Sequence, residues 1–572
     1  MNSALTISIA GAAGQGMQTI GFLLGKALIR GGLHVFATQD NESRIRGGHN
    51  FFSLRVSAQQ VISMTQSVDV LIALNEESLT IHKDELSESS VIIYDHELIE
   101  GRPQKGYRCG VPLQRIARET GGDELYANAV ALGAVMGILR GTSDVIETTV
   151  KDFFSKQELA DANCSAARAG YDYVLRHHQG LSLPLPPSAH QTRKMFINGH
   201  EALALGALAA GCQFFAAYPM SPATSILTYL AGKADRHHMV LEQAEDEIAA
   251  INMAIGASCA AVRSMTATSG GGFSLMVESL GLSAIAEIPL VVVNSQRPGP
   301  ATGLATRTEQ GDLRFVLHAS QGEFPRVILA PGTPRDAFYL TIKAFHLADK
   351  YQVPVIILTD QYLAESYFTE ERFTLSHNNS DRFFSSPGDF SDTKPFLRYQ
   401  FTTTGVSPRF PLSWDGREML YDSHEHNENG HITEDALIRT RMVEKRFMKQ
   451  EGLTNELSPP VTEGSTEASI LLIGWGSTYG VLQEVTSSLN QEGIPARLMH
   501  LRELWPFPRK SVMEEIARAQ KWLVIENNYT SQLSGLLQEQ TCLAPTGRIV
   551  KYNGRPFYFE EVMDAVKKEV ER

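Results

Sequence analysis

Four carboxylates in six residues, Glu242, Glu245, Asp246 and Glu247, stand just before a run of small apolar residues, Ile248, Ala249, Ile251, Ala254, Ile255, Ala257, Ser258 and Ala260. A carboxylate at the head of such a helix is costly to bury unless something pairs with it, and burial raises its pKa towards values useful for proton transfer. Glu247 is nearest the apolar run and is the one expected inside. The alternative is that all four stay solvated and favour the helix N-terminus through its dipole. Tyr218-Pro219-Met220-Ser221-Pro222 is a second candidate: prolines on both sides present the Ser221 hydroxyl at the end of a strand. That hydroxyl could instead cap a helix starting near Ala223. Arg307, in a polar run, offers a planar fork for a carboxylate or a salt bridge to Glu309 or Asp312. Near the N-terminus, the turn Gly11-Ala12-Ala13-Gly14-Gln15-Gly16 could aim backbone N–H groups at an anion. Arg44 and Arg46, beside paired glycines, could bind phosphate or carboxylate or simply be solvated. His424, His426 and His431 lack a third metal ligand at convincing spacing, so their role stays open.

The elements that must hold these residues read as α/β throughout. A strand at 4–10, the glycine turn, a helix at 19–28 and a strand at 33–37 make a βαβ start, although the turn lacks the full GxGxxG pattern and has no Walker lysine. Strands at 51–56, 68–74 and 91–94 and a helix at 128–139 complete a domain over 1–180. Three prolines in residues 181–188 mark a stiff linker, taken as 181–192. Beyond it, a small-residue helix at 199–210, strands at 213–217, 262–268, 288–294, 327–329 and 353–359, and a helix at 334–349 form a second α/β domain. There Ser269-Gly270-Gly271-Gly272 is expected to be a loop with little side-chain bulk. Residues 381–465 read as an irregular connecting or interface segment. Strands at 468–474, 496–500 and 521–526 with a helix at 477–489 give a third α/β domain over 466–572.

A net charge of −13 argues against a general nucleic-acid or anionic-membrane binder. No apolar run reaches the roughly 18 residues that span a bilayer, and the start shows no basic region typical of a signal peptide. Cys109, Cys164, Cys212, Cys259 and Cys542 are far apart, with no CxxC pair, which suits reduced thiols in a cytoplasmic protein.

With these motifs in view, nearly the whole chain resembles the 2-oxoacid:ferredoxin oxidoreductases, as an α subunit carrying a γ domain at its N-terminus. The resemblance rests on the Tyr218–Pro222 motif, the Glu247 helix, Thr266-Ala267-Thr268-Ser269-Gly270-Gly271-Gly272, and the N-terminal glycine turn and basic segment. TRTEQGDL at 306–313 and EHNENGHITED at 425–435 look most like the members that act on 2-oxoglutarate. It implies three α/β domains: a γ-type domain, a pyrimidine-binding domain of the thiamine diphosphate enzymes over 193–380, and a transketolase C-terminal-like domain. It also implies oxidative decarboxylation of 2-oxoglutarate to succinyl-CoA and CO2, or the reverse, with CoA as co-substrate and ferredoxin as electron carrier; a pyruvate or branched-chain 2-oxoacid enzyme is the alternative within the family. Glu247 would hydrogen-bond the aminopyrimidine ring. Tyr218, Pro219, Thr268, Ser269 and Gly270 would line the cofactor, Ser221 and Arg307 would meet the 2-oxoacid, and Gly14, Gly16, Arg44 and Arg46 would approach CoA. The chain has no GDG…N motif and no ferredoxin-like cysteine spacing, so the resemblance assigns the diphosphate site, Mg2+ and a 4Fe–4S cluster to a separate β subunit, in a dimer of αβ units. Outside the family, the N-terminal unit suits a flavin- or NAD-binding oxidoreductase, and a non-catalytic scaffold subunit is a third class.

Overall fold

Short β-rich runs alternating with helices build three sheets in a computed structural model that describes residues 4–43, 48–101, 105–186, 194–375, 381–386, 396–411 and 419–571. Arg44 and Arg46 lie outside those residues. The chain divides into two compact units. The first comprises Met1–Asn198, Glu365–Arg372 and Phe557–Asp564, and the second Gly199–Ala364, Phe373–Pro556 and Ala565–Arg572.

The first unit holds an eight-stranded sheet. Leu5–Ala12 lies between His49–Ser57, antiparallel, and Val68–Ala73, parallel. The strand after the first helix, His34–Asp40, pairs with the far side of His49–Ser57. The expected βαβ unit is therefore split. The chain turns back after Asp40 as a hairpin, and its second arm takes the place beside the first strand that a dinucleotide-type crossover would fill. Gly16 enters the Met17–Arg30 helix with φ 75, a backbone conformation that suits glycine, and a Cβ there would strike the Asn128 amide.

Two strands from beyond the proline segment, Met195–Asn198 and Tyr367–Glu370, extend this first sheet. The expected domain limits of 193 and 380 thus enclose two strands that belong elsewhere. The reason is local pairing. Tyr367–Glu370 covers the open edge of His34–Asp40, Thr369 Oγ1 accepts from the Val35 amide at 2.7 Å, and Phe368 packs edge-on against Phe36 at 4.8 Å.

The second unit carries the other two sheets. The seven-stranded sheet runs Glu503–Trp505, Val327–Leu329, Pro354–Asp360, Leu290–Gln296, Ser264–Thr268, Phe214–Ala217, Val240–Gln243. All neighbours are parallel except the first pair. Its central strands are buried on both faces and rich in Val, Ile and Leu, as a parallel sheet between helices requires. The five-stranded sheet runs Val461–Gly464, Ala496–Leu501, Ile470–Trp475, Lys521–Glu526, Gly547–Val550. The two sheets share one core, in which Val292, Ile356 and Leu358 join Leu471, Ile473, Trp475 and Met499.

The segment expected to be irregular contains the 21-residue helix Ala436–Glu456. Asp435 caps it by accepting from the Leu437 and Ile438 amides, both at 2.9 Å. Its buried face is Met442, Lys445, Arg446, Lys449 and Leu453. Three cations on the inner face break the apolar periodicity by which a helix is recognised. They are tolerated because Lys445 and Lys449 reach Glu287, and Arg446 reaches Glu425, at 2.5–2.7 Å. No helix among the described residues is long and apolar enough to cross a membrane.

Candidate active site

The chain leaves the Phe214–Ala217 strand towards Val240–Gln243 on one side, and leaves Ser264–Thr268 towards Leu290–Gln296 on the other. Between the carboxyl ends of these two neighbouring strands the loops part, which is where open parallel sheets bind ligands. Loop Tyr218–Pro222 follows the first strand and Ser269 the second. The Thr268 hydroxyl reaches the Met220 sulfur across the gap at 3.9 Å.

Of the four acids before the small-residue helix, one is drawn in. Glu242 and Glu245 are exposed, and Asp246 caps the helix by accepting from the Ala249 amide at 2.7 Å. Glu247, the first residue of helix Glu247–Cys259, is 3% exposed, and its Oε1 has no hydrogen-bond partner in the protein. Burial, with a smaller contribution from neighbouring Asp246, raises its pKa above that of an ordinary glutamate.

The glycine run facing Glu247 is not the expected loop: Ser269 precedes the helix Gly270–Ile285, and the glycines form its first turn. They are small for a reason of packing. A Cβ on Gly272 would meet Glu247 Oε1 at 2.5 Å as well as the Thr268 hydroxyl, and one on Gly270 would meet Asp312 Oδ2 at 2.5 Å. Asp312 accepts from Asn294 Nδ2 at 3.1 Å, and its own amide donates to Gln296 Oε1 at 2.9 Å. Burial raises its pKa as well. Ser269 Oγ, Asn294 Oδ1 and Arg297 Nε, all at these strand ends, are likewise buried without a protein partner. Buried polar groups are ordinarily satisfied, so four orphaned atoms on neighbouring loops at the carboxyl ends of parallel strands suit a place for a polar ligand.

Ser221 is exposed and does not cap the next helix, which begins at Thr224 behind Ala223. Its carbonyl accepts from Arg297 Nη1 at 2.8 Å. Tyr218 is 39% exposed, and Thr268 is fully buried. Arg307 is half-buried, lies against Gly554 and bonds the Thr306 carbonyl at 3.5 Å. The loop that carries it is anchored at Gln310, which donates to the Trp475 carbonyl at 2.8 Å and exchanges backbone and side-chain bonds with Asn527.

Sequence reasoning passed over Arg297, Gly272 and Asp312. The Gln296-Arg297-Pro298-Gly299-Pro300 run was a usable signal for the first: an arginine directly after a buried strand, held by a proline. In the first unit, Gly14 has φ 90 with open space where a Cβ would be. Among the described residues no three of His, Cys, Asp and Glu gather to hold a metal ion. His424 pairs with Asp422 at 2.8 Å. His426, fully buried, lies against the Tyr399 ring at 3.9 Å, and its Nδ1–H donates to the His424 carbonyl at 2.9 Å.

Residues 205–445 match the family described as pyruvate flavodoxin/ferredoxin oxidoreductase, thiamine diphosphate-binding, 6–173 match pyruvate ferredoxin/flavodoxin oxidoreductase, and 468–562 match pyruvate:ferredoxin oxidoreductase core domain II. A 2-oxoacid:ferredoxin oxidoreductase subunit alpha from Sulfolobus sp. is 33% identical over 98% of this chain and 96% of its own. The 2-oxoglutarate synthase subunit KorA of Methanothermobacter thermautotrophicus is 32% identical, over 66% of this chain and 99% of its own. A solved 2-oxoglutarate:ferredoxin oxidoreductase from Magnetococcus marinus, with 2-oxoglutarate, coenzyme A and succinyl-CoA bound, superposes over 100% of both chains with a TM-score of 0.92 at 30% identity. Likeness at this level along the full length of the fold, around a sheet end that buries an unpaired glutamate, means that the chain belongs to the 2-oxoacid:ferredoxin oxidoreductases, among their alpha subunits.

Proposed function

We propose that the chain is the fused γ–α subunit of a 2-oxoglutarate:ferredoxin oxidoreductase, which converts 2-oxoglutarate and CoA to succinyl-CoA and CO2 and passes the electrons to ferredoxin, with the reverse, CO2-fixing direction open to the same site. The observation that carries this is the Glu247 carboxyl: buried, with its Oε1 lacking a protein partner and facing a glycine where any side chain would collide with it. Those features fit the aminopyrimidine end of thiamine diphosphate, which, when bound, supplies the nucleophilic carbon for decarboxylation.

Toward that ring, Glu247 holds and shares a proton at Oε1, a task for which a raised pKa is suited. Gly272 and the Thr268 hydroxyl stand beside that Oε1, and Ser269 and Gly270 belong to the same strand-to-helix turn. The Ser221 hydroxyl is the group that meets the substrate's reacting end. Arg297 is the stronger candidate for its carboxylate, because its Nη1 already holds the Ser221 carbonyl while its Nε is left for another acceptor. Arg307, expected from the sequence to meet the 2-oxoacid carboxylate, lies on the loop anchored by Gln310 and is the second candidate for it.

A separate β subunit supplies the diphosphate site, Mg2+ and a 4Fe–4S cluster, in a cytoplasmic dimer of αβ units. In the first unit, Gly14 and Gly16 with Arg44 and Arg46 approach CoA. The Magnetococcus enzyme with its bound 2-oxoglutarate supports the substrate. The relatives from Sulfolobus and Aeropyrum are named for 2-oxoacids in general, and pyruvate or a branched-chain acid is the second reading.

The test is co-expression with the adjacent reading frame, purification without oxygen, and viologen reduction with 2-oxoglutarate, pyruvate or 2-oxoisovalerate, each with and without CoA. CoA-dependent reduction with 2-oxoglutarate alone is expected. Activity with another 2-oxoacid only would replace the substrate, and no activity with any would sink the proposal.

A further inference from the structure

Behind the Ser221–Arg297 pair lies a buried histidine that the chemistry does not use. His200, in the Gly199–Ala209 helix, is 1% exposed, and both of its ring nitrogens are engaged. Nδ1 lies 2.7 Å from Ser225 Oγ, and Nε2 lies 3.2 Å from Ser295 Oγ. Ser225 Oγ in turn donates to the Pro222 carbonyl at 3.0 Å. Ser225 stands three residues after Pro222, and Ser295 stands two residues before Arg297. The imidazole therefore joins the start of the helix that follows the Ser221 loop, whose Ser225 holds the Pro222 carbonyl, to the end of the strand that leads into Arg297.

The protons in this chain have one consistent arrangement. A hydroxyl has a single hydrogen, and that of Ser225 goes to the Pro222 carbonyl. Ser225 Oγ must then accept from His200 Nδ1–H. His200 Nε2 is left bare and accepts from the Ser295 hydroxyl. Burial pushes the imidazole down to about 3, so the neutral tautomer persists over the working range. A link with fixed donors and acceptors has a fixed geometry, and it needs no net charge in a place where a charge would be costly.

We propose that His200 is a positioning residue for the 2-oxoacid end of the site, setting the Ser221–Pro222 backbone at the distance from which Arg297 can hold the loop with one nitrogen and an anion with the others. This rests on the reading of Ser221 and Arg297 as the substrate-facing pair. A residue that merely supported the fold would, if removed, degrade every kinetic constant together. A positioning residue here would degrade 2-oxoacid recognition selectively.

The experiment is steady-state viologen reduction by the assembled complex with wild-type, His200→Leu, His200→Asn, Ser225→Ala and Ser295→Ala chains, titrating the 2-oxoacid and CoA separately. His200→Leu should raise KM for the 2-oxoacid about tenfold, the loss expected of a displaced charged hydrogen bond, with KM for CoA unchanged. His200→Asn, which keeps a donor towards Ser225, should recover part of that loss. Adding Ser225→Ala to His200→Leu should cost nothing further, because both act through one link. If His200→Leu does not assemble, the two serine variants carry the same selective KM prediction. An active wild type whose variants show an unchanged KM for the 2-oxoacid, or equal losses for both substrates, overturns the positioning role alone. A wild type inactive with every 2-oxoacid overturns the functional reading and this role with it.

Discussion

Two glutamates of the second unit are buried to nearly the same depth and are built for opposite ends. Glu287 is fully buried; its Oε1 meets Lys445 at 2.5 Å and its Oε2 meets Lys449 at 2.6 Å, while Arg398 donates to its backbone carbonyl. Burial alone would raise its pKa, but the two ammonium groups and the guanidinium outweigh that and hold it well below the ordinary range. Glu247 is 3% exposed and has no cation against it, and its pKa goes up. The first carboxylate is permanently charged and fastens the Ala436–Glu456 helix to the sheet layer. The second has an unpartnered Oε1 and a raised pKa, as the proton-sharing role proposed for it requires. Depth of burial does not separate a structural acid from a functional one; the partners supplied at that depth do.

The sharpest way to break this comparison is to neutralise each glutamate in turn. Glu247→Gln in the assembled complex should lower 2-oxoacid-dependent turnover by about two to four orders of magnitude, the usual range for removing a positioned proton-transfer group. It should leave the melting temperature unchanged or higher. Glu287→Gln should do the reverse. It strands two buried ammonium groups and should cost about 3–5 kcal/mol of stability, read as a lower denaturation midpoint, while the folded fraction keeps its specific activity. Equal loss of activity in both variants would show that the contrast is not functional.

Next in size is Gly272→Ala. The added methyl is 2.5 Å from Glu247 Oε1 and must push the carboxyl aside. Turnover should fall at least tenfold, and thiamine diphosphate retention through gel filtration should weaken. Normal retention together with normal turnover would count against Glu247 facing the ring.

The pH dependence of stability should differ in sign between the two sites. Glu287 has a folded pKa below the ordinary 4.5, so its stabilisation is complete above pH 4.5 and is lost as the pH falls towards the folded value. The deficit of Glu287→Gln should therefore shrink on acidification below 4.5. Glu247 has a folded pKa above 4.5, so it penalises the folded state increasingly as the pH rises from 4.5 through that raised value. The advantage of Glu247→Gln should grow over that interval and then level off. Denaturation midpoints measured across pH read both trends. The smallest expected effect separates the two arginines: Arg297→Lys should raise KM for the 2-oxoacid several-fold more than Arg307→Lys with the shortest 2-oxoacid accepted, because Arg297 donates to the Ser221 carbonyl.

Much of the scaffold was legible in the chain. The parallel strands declare themselves as apolar β-branched runs, and the glycines and prolines between them fall at the strand ends where ligands bind. What misled were places where a local pattern was overridden by a distant partner. The Ala436–Glu456 helix hides because its inner face is cationic, and only Glu287 and Glu425 make that face buriable. Gly270–Gly272 reads as a loop with little side-chain bulk, yet it forms the first turn of a helix, and at Gly270 and Gly272 the neighbours Asp312, Thr268 and Glu247 leave no room for a side chain. Strands Met195–Asn198 and Tyr367–Glu370 read as part of the following domain, while their pairing edge lies in the first sheet.

The sequence by itself determined the α/β elements of the three sheets and Glu247 as the acid nearest an apolar run, since composition and periodicity are local properties of the chain, and its motifs carried the resemblance to the family. Tertiary structure alone decided that Glu247 Oε1 is left without a partner while Glu287 receives two ammonium groups. It also decided that Arg297, which stands 76 residues from Ser221 in the chain, meets its carbonyl. Charge compensation and loop-to-loop hydrogen bonds depend on which groups converge in space, and no spacing along the chain encodes that convergence.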